Sequence, residues 1–187
     1  MHINRYYVAL KDVQYQVNDH RADFGIYETV ELLLRETKMN STLFKLFLNV
    51  YPPYWGTGIV VRKVSPNWKE IIVQMKMRWY NRNYVNTHFG GSLYAMTDPF
   101  FMVMLIKILG KEYVVWDKAV HIPFPDTAAG PVTARFIIKE EQIKNILENT
   151  SNGQKYLPEF SVDIEDEASE TVARVTKVLY IRKKTIK

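Results

Sequence analysis

The 187-residue sequence contains no cysteine. That excludes a disulfide framework, a thiol nucleophile and a thiolate metal site. Histidine is scarce, with 4 in the chain, and no His/Asp/Glu spacing resembles a metal-binding motif, so neither a metal nor a cofactor is expected. No apolar run reaches the roughly 20 residues that a bilayer span needs. The most hydrophobic stretch, Leu93 to Leu109, is interrupted by Asp98 and Lys107. The N-terminus, MHINRYYVALKDVQ, lacks an uninterrupted apolar core after a basic start. No secretory signal is therefore visible, and a cytoplasmic location is expected.

A hydrophobic content of 47% and an aromatic content of 13% fit a globular chain with a usable core. The net charge of +5 and sequence pI of about 9.2 suit an anionic ligand, non-specific attraction to nucleic acid or acidic lipid, or solubility alone. No RNA- or DNA-binding module is visible, so nucleic acid is not an expected partner.

The chain is organised around Asn83 to Leu109, NYVNTHFGGSLYAMTDPFFMVMLIKIL. An Asn-rich loop runs into a Gly-Gly pair, after which the chain turns apolar. Leu93, Met96, Phe100, Val103 and Met104 recur at helical spacing, and the apolar character all round predicts a buried helix. One carboxylate, Asp98, sits inside it. With Pro99 following, Asp98 has the look of a helix cap after a kink; it also has the look of a carboxylate aimed for general-base or nucleophilic chemistry. Gly90 and Gly91 read either as a tight turn or as two backbone N–H donors facing a carbonyl oxygen that gains negative charge. On a straight helix Gly91 and Asp98 lie on nearly one face, roughly 10 Å apart along the axis. A donor and a base so separated cannot meet at one carbon, so the spacing predicts a two-fold dimer with the site between copies.

Asn83-x-x-Asn86-Thr87-x-Phe89-Gly90-Gly91 followed by Asp98 resembles the N-x-x-G-T-x-H-G-G…D pattern of phenylacetate-type (PaaI-like) hotdog-fold acyl-CoA thioesterases. A nearer likeness is to a hotdog family known only as a domain of unknown function, whose members carry strings similar to Thr87–Phe100 and Tyr113–Ala119. The resemblance covers about Met39 to Lys184. It implies a thioester hydrolase of the acyl-CoA or acyl-carrier type, acting as a homodimer or homotetramer, with coenzyme A entering only as part of the substrate. It implies Gly90 and Gly91 as oxyanion donors, Asp98 of the second copy as base or nucleophile, and Asn83, Asn86 and Thr87 as the residues shaping the loop. Met96, Phe100 and Trp116 would line the acyl chain. Two positions depart from the pattern: Phe89 stands where the family has histidine, and Asn86 replaces a glycine. His88, one residue earlier, is either a shifted substitute or an ordinary loop histidine. The alternative function is a non-catalytic hotdog domain that binds an acyl ligand or a protein partner. A hydratase on the same scaffold fits less well, because His88 does not match that pattern.

Residues 1–38 read as an N-terminal extension, with a helical pattern at Tyr27 to Thr37, and residues 39–187 as the hotdog domain. Asn40-Ser41-Thr42 precedes a short amphipathic helix that Pro52-Pro53 stops. Strands are expected at Ile59–Val64, Glu70–Trp79, Glu112–Phe124, Val132–Lys139, Phe160–Glu165 and Thr171–Arg182, with a helix over Glu140–Glu148 facing Ile143, Ile146 and Leu147 inward. Asp117-Lys118 interrupts an apolar strand, either as a surface pair or bulge or as a polar pair at a pocket mouth. The acidic run Glu165–Glu170 reads as a solvated hairpin turn or a site for a hard cation. The pattern gives an α+β fold: an antiparallel sheet of about six strands wrapped around one long apolar helix.

Overall fold

The computed structural model describes residues 39–124 and 129–184; the expected N-terminal extension, its helix, and part of the turn after Phe124 lie outside them. Helix α1 (Ser41–Val50) starts where the Asn40 side chain accepts the Leu43 N–H at 2.8 Å. The proline pair ends α1 but also opens α2 (Pro52–Thr57), because a proline at the first helical position loses no hydrogen bond. Strands β1 (Ile59–Val64) and β2 (Glu70–Met75) follow as a hairpin. Then come α3 (Gly90–Ala95), α4 (Phe100–Leu109), β3 (Tyr113–His121), β4 (Val132–Ile137), α5 (Glu140–Thr150), the short β5 (Lys155–Tyr156), β6 (Glu159–Glu165) and β7 (Thr171–Lys183).

The strands form one 7-stranded antiparallel sheet in the order β1-β2-β4-β6-β7-β3, with β5 paired to β7. Alternation sets its inner face: Ile71, Val73 and Met75 on β2, Val132, Ala134 and Phe136 on β4, and Val175, Leu179 and Ile181 on β7 are all buried. The segment Gly90–Leu109 is long and apolar enough, by composition alone, to cross a membrane. Here its second half is the helix that the sheet wraps. Phe100 packs tilted and Phe101 edge-on against Phe136, at 4.9 and 5.1 Å between ring centres, and Phe101 meets Phe160 at 5.1 Å.

Three details differ from the pattern, and one choice it left open is settled. The apolar helical segment is interrupted at residues 96–99. Strand β2 ends at Met75, four residues early, and Trp79 is 84% exposed. The reason is Asn81: its buried side chain donates to the Lys76 and Thr57 carbonyls and accepts from the Arg78 N–H, taking this backbone out of the ladder. On α5, Ile146 is buried but Leu147 faces solvent. In the acidic turn, Asp166 accepts the N–H groups of Ala168 and Glu170, a local role that shapes the hairpin.

Truncating Phe136 to alanine removes the ring that both helix phenylalanines pack on. The expected loss is about 3–5 kcal/mol of unfolding free energy, measured by urea denaturation.

Candidate active site

The break between α3 and α4 decides where Asp98 points. Pro99, not Asp98, occupies the N-cap of α4, and no side chain caps that helix. Asp98 is thus not a helix cap. Its backbone carbonyl accepts a hydrogen bond from the buried Tyr54 hydroxyl, which ties the break to α2. Burial, with Asp98 nearby, pushes the Tyr54 phenol well above its ordinary range, so it remains a donor. The Asp98 carboxylate turns towards β7, where Lys177 Nζ meets its Oδ1 at 2.7 Å.

Lys177 was not singled out by the sequence, yet it joins the site together. It lies on the inward face of β7, in step with Val175, Leu179 and Ile181, and its side chain is 1% exposed. Its second partner is Asp117 Oδ2 at 2.8 Å. Asp117 opposes Leu179 in the β3–β7 ladder, which makes Lys177 its diagonal neighbour on the same face. The ladder shifts register between Asp117 and Ala119, so Asp117-Lys118 is both a bulge and a polar intrusion. The Tyr94 ring on α3 sits 5.7 Å from the Lys177 ammonium, within cation–π reach. Burial acts to lower the Lys177 pKa, but the two carboxylates outweigh it and hold the ammonium above its ordinary value. Burial raises the Asp117 carboxyl; Lys177 opposes this and the neighbouring Asp98 reinforces it. One ammonium thus faces two carboxylates, and Asp117 is the one whose proton is held more tightly. Asp117 Oδ1 is buried without a hydrogen-bond partner.

Asp98 itself is different. Its side chain remains 44% exposed, so a carboxylate is held at the surface by an ammonium beneath it. Such a group can take a proton from water or attack an electrophile.

The loop before α3 is built by Asn83. Its Oδ1 accepts the Val85 and Thr87 N–H groups, both at 3.0 Å, and its Nδ2 donates to Thr87 Oγ1 at 2.7 Å. Asn86 has φ of +59°, a conformation that glycine or asparagine tolerates best, which accounts for asparagine where the related pattern has glycine. His88 is buried, with Nε2 2.7 Å from the Gly130 carbonyl and Nδ1 buried without a partner. Burial lowers its pKa, only partly offset by Gly130; a neutral ring donating from Nε2 fits both observations. Phe89 is 57% exposed, and its ring lies over Gly91, where an added Cβ would come within 2.5 Å of it. Gly90 and Gly91 open α3, where backbone N–H groups have no preceding helical carbonyl.

The acyl-lining set is not brought together in one chain. Met96 and Phe100 are fully enclosed in the core. Trp116 is 48% exposed and points to the other side of β3 from Val115 and Asp117. The straight-helix spacing of Gly91 and Asp98 does not carry across the break. No group of three or more His, Asp or Glu side chains suited to a metal converges among the described residues.

A sheet curled around a central helix in this order is the hotdog fold. Solved structures share it: a protein of unknown function from Pseudomonas aeruginosa, named a probable thioesterase, superposes with a TM-score of 0.61 at 16% identity, over 84% of this chain and 96% of that one. A protein of unknown function from Chlorobaculum tepidum gives 0.59 at 14% identity over 84% and 96%, and a thioesterase from Haemophilus influenzae gives 0.58 at 13% over 80% and 95%. No curated protein matches the sequence. The family described as a domain of unknown function, DUF4442, matches residues 40–181, and the chain belongs to it.

Replacing Lys177 by methionine leaves two carboxylates facing each other without a counter-ion. The expected cost is about 3 kcal/mol near neutral pH. Because the Asp117 pKa is raised in the fold, its stabilising contribution is present at acid pH and lost as pH rises through that raised value. Without Lys177 the loss deepens, so the deficit of the variant should be smaller at about pH 4 than at about pH 7. Chemical denaturation of both proteins across that range checks it.

Proposed function

We propose that this protein hydrolyses acyl thioesters, with the acyl group carried on coenzyme A or a carrier protein. The observation that carries the reading is the half-exposed Asp98 carboxylate fixed from below by the buried Lys177. In the reaction, Asp98 takes a proton from water while the oxygen attacks the thioester carbonyl carbon. The tetrahedral oxyanion collapses, the C–S bond breaks, and the sulfur takes the proton back, giving a carboxylic acid and a thiol. Direct attack by Asp98 would give an anhydride that water then opens. Lys177 and Asp117 position the carboxylate and do not touch substrate. The thioesterase names of the fold neighbours from P. aeruginosa and H. influenzae support the reaction class.

Oxyanion donors would come from the Gly90 and Gly91 N–H groups of a second copy. The open β3 edge supports such a dimer: Trp116, Val120 and Phe124 are exposed along and beyond it, and Phe124 lies against the Gly90 turn beside exposed Phe89. The second reading is a non-catalytic hotdog domain that binds an acyl ligand or a protein. It is favoured by the His88 ring being taken up by Gly130 and by Phe89 standing over Gly91.

The test is hydrolysis of short-, medium-, long-chain and aryl acyl-CoAs by wild type and Asp98→Asn. Loss of a general base should lower kcat/KM about 100-fold or more. Equal turnover by both would remove Asp98 from the chemistry, and binding of an acyl-CoA without turnover would favour the second reading.

A further inference from the structure

A cavity of about 240 Å³ lies on the outer face of β1 and β2, away from the inward-facing Lys177. Its wall carries Arg62, Lys76 and Arg78, and no acidic side chain lines it. Several other cations are neutralised: Lys63 and Arg135 pair with Glu70, Lys69 with Glu140, and Arg174 with Asp163. No carboxylate among the described residues pairs with the three cavity cations. Arg62 is also held in place, since its Nε and Nη2 donate to Gln74 Oε1 at 3.0 and 2.8 Å. Two aromatic side chains complete the wall: Trp55, 76% exposed, and Tyr80, 47% exposed. A large ring left in water beside unpaired cations is a surface ready for a planar, anionic ligand.

We propose that this cavity binds the phosphorylated end of a nucleotide, with the base stacked on Trp55 or Tyr80 and the phosphates on Arg62, Lys76 and Arg78. The size suits part of one mononucleotide, the rest extending into solvent. A single short, half-open hollow favours this over a polymer, which needs a groove that tracks several nucleotides. The proposal stands independently of the thioesterase reading. A free nucleoside diphosphate and the nucleotide end of coenzyme A present the same chemistry.

Isothermal titration of the full chain with ADP, coenzyme A and pyrophosphate, at low and moderate salt, tests it. ADP should bind, weakening as salt rises, and pyrophosphate should bind about tenfold more weakly for want of a ring to stack. Trp55→Ala and Arg62→Gln should each weaken ADP about tenfold. Lys76→Gln, an exposed change that leaves the fold alone, should weaken it in the same direction. Coenzyme A binding more tightly than ADP, with the same sensitivity to the variants, assigns the cavity to the carrier nucleotide; equal affinity assigns it to a free one. Absence of binding by both, ADP affinity indifferent to Trp55 and Arg62, or an affinity that grows with oligonucleotide length would overturn the proposal.

Discussion

The ammonium of Lys177 is buried on the concave side of the sheet, and everything around it is arranged to keep it charged. Removing such a group from water costs several kcal/mol, which only close, well-placed counter-charges offset. Asp98 and Asp117 supply those charges from elements far apart in sequence, at 2.7 and 2.8 Å. The interaction therefore links the helix break, the β3 bulge and the middle of β7. Tyr94 adds a ring face to the ammonium, and Tyr54 anchors the backbone of Asp98. Removing any one carboxylate shifts the balance between pairing and desolvation at the centre of the fold.

The same arrangement explains why one of two similar carboxylates is available for chemistry. Asp117 lies on the inner face of a strand, mostly enclosed, with one oxygen lacking a partner and a pKa raised by burial. Asp98 sits at an interruption between helices and reaches the surface. Lys177 holds both, so the exposed carboxylate gains a fixed direction without losing access to water. A carboxylate fixed in place by a buried partner does not have to be ordered at the moment of reaction.

Much of this was legible in the sequence, for reasons that can be traced to residues. Period-2 alternation placed Ile71, Val73 and Met75 inward, and the apolar run after Gly91 marked the element that the sheet must wrap. Asp98 stood out as a carboxylate among apolar neighbours, and Asp117 as an interruption in a strand. Lys177 was missed because basic residues in strands are usually read as solvated. Its parity with Val175, Leu179 and Ile181 was the available signal. The helix break was foreshadowed by Pro99, which disfavours helical geometry in the residue before it. The early end of β2 depends on a tertiary contact, from Asn81 to Thr57, that no local pattern reveals. Trp116 was placed beside Met96 and Phe100 by resemblance, whereas strand parity relative to Asp117 sends it to the opposite face.

The central claim is that the two carboxylates outweigh burial at Lys177, and the sign of one titration tests it. Nitrogen-detected NMR of the Lys177 Nζ resonance, followed through alkaline pH, measures the ammonium directly. The account predicts a midpoint above the ordinary lysine value of 10.5, falling below it when Asp98 and Asp117 are both replaced by asparagine. A wild-type midpoint below 10.5 would mean that desolvation wins, and would contradict the account of how Asp98 is held.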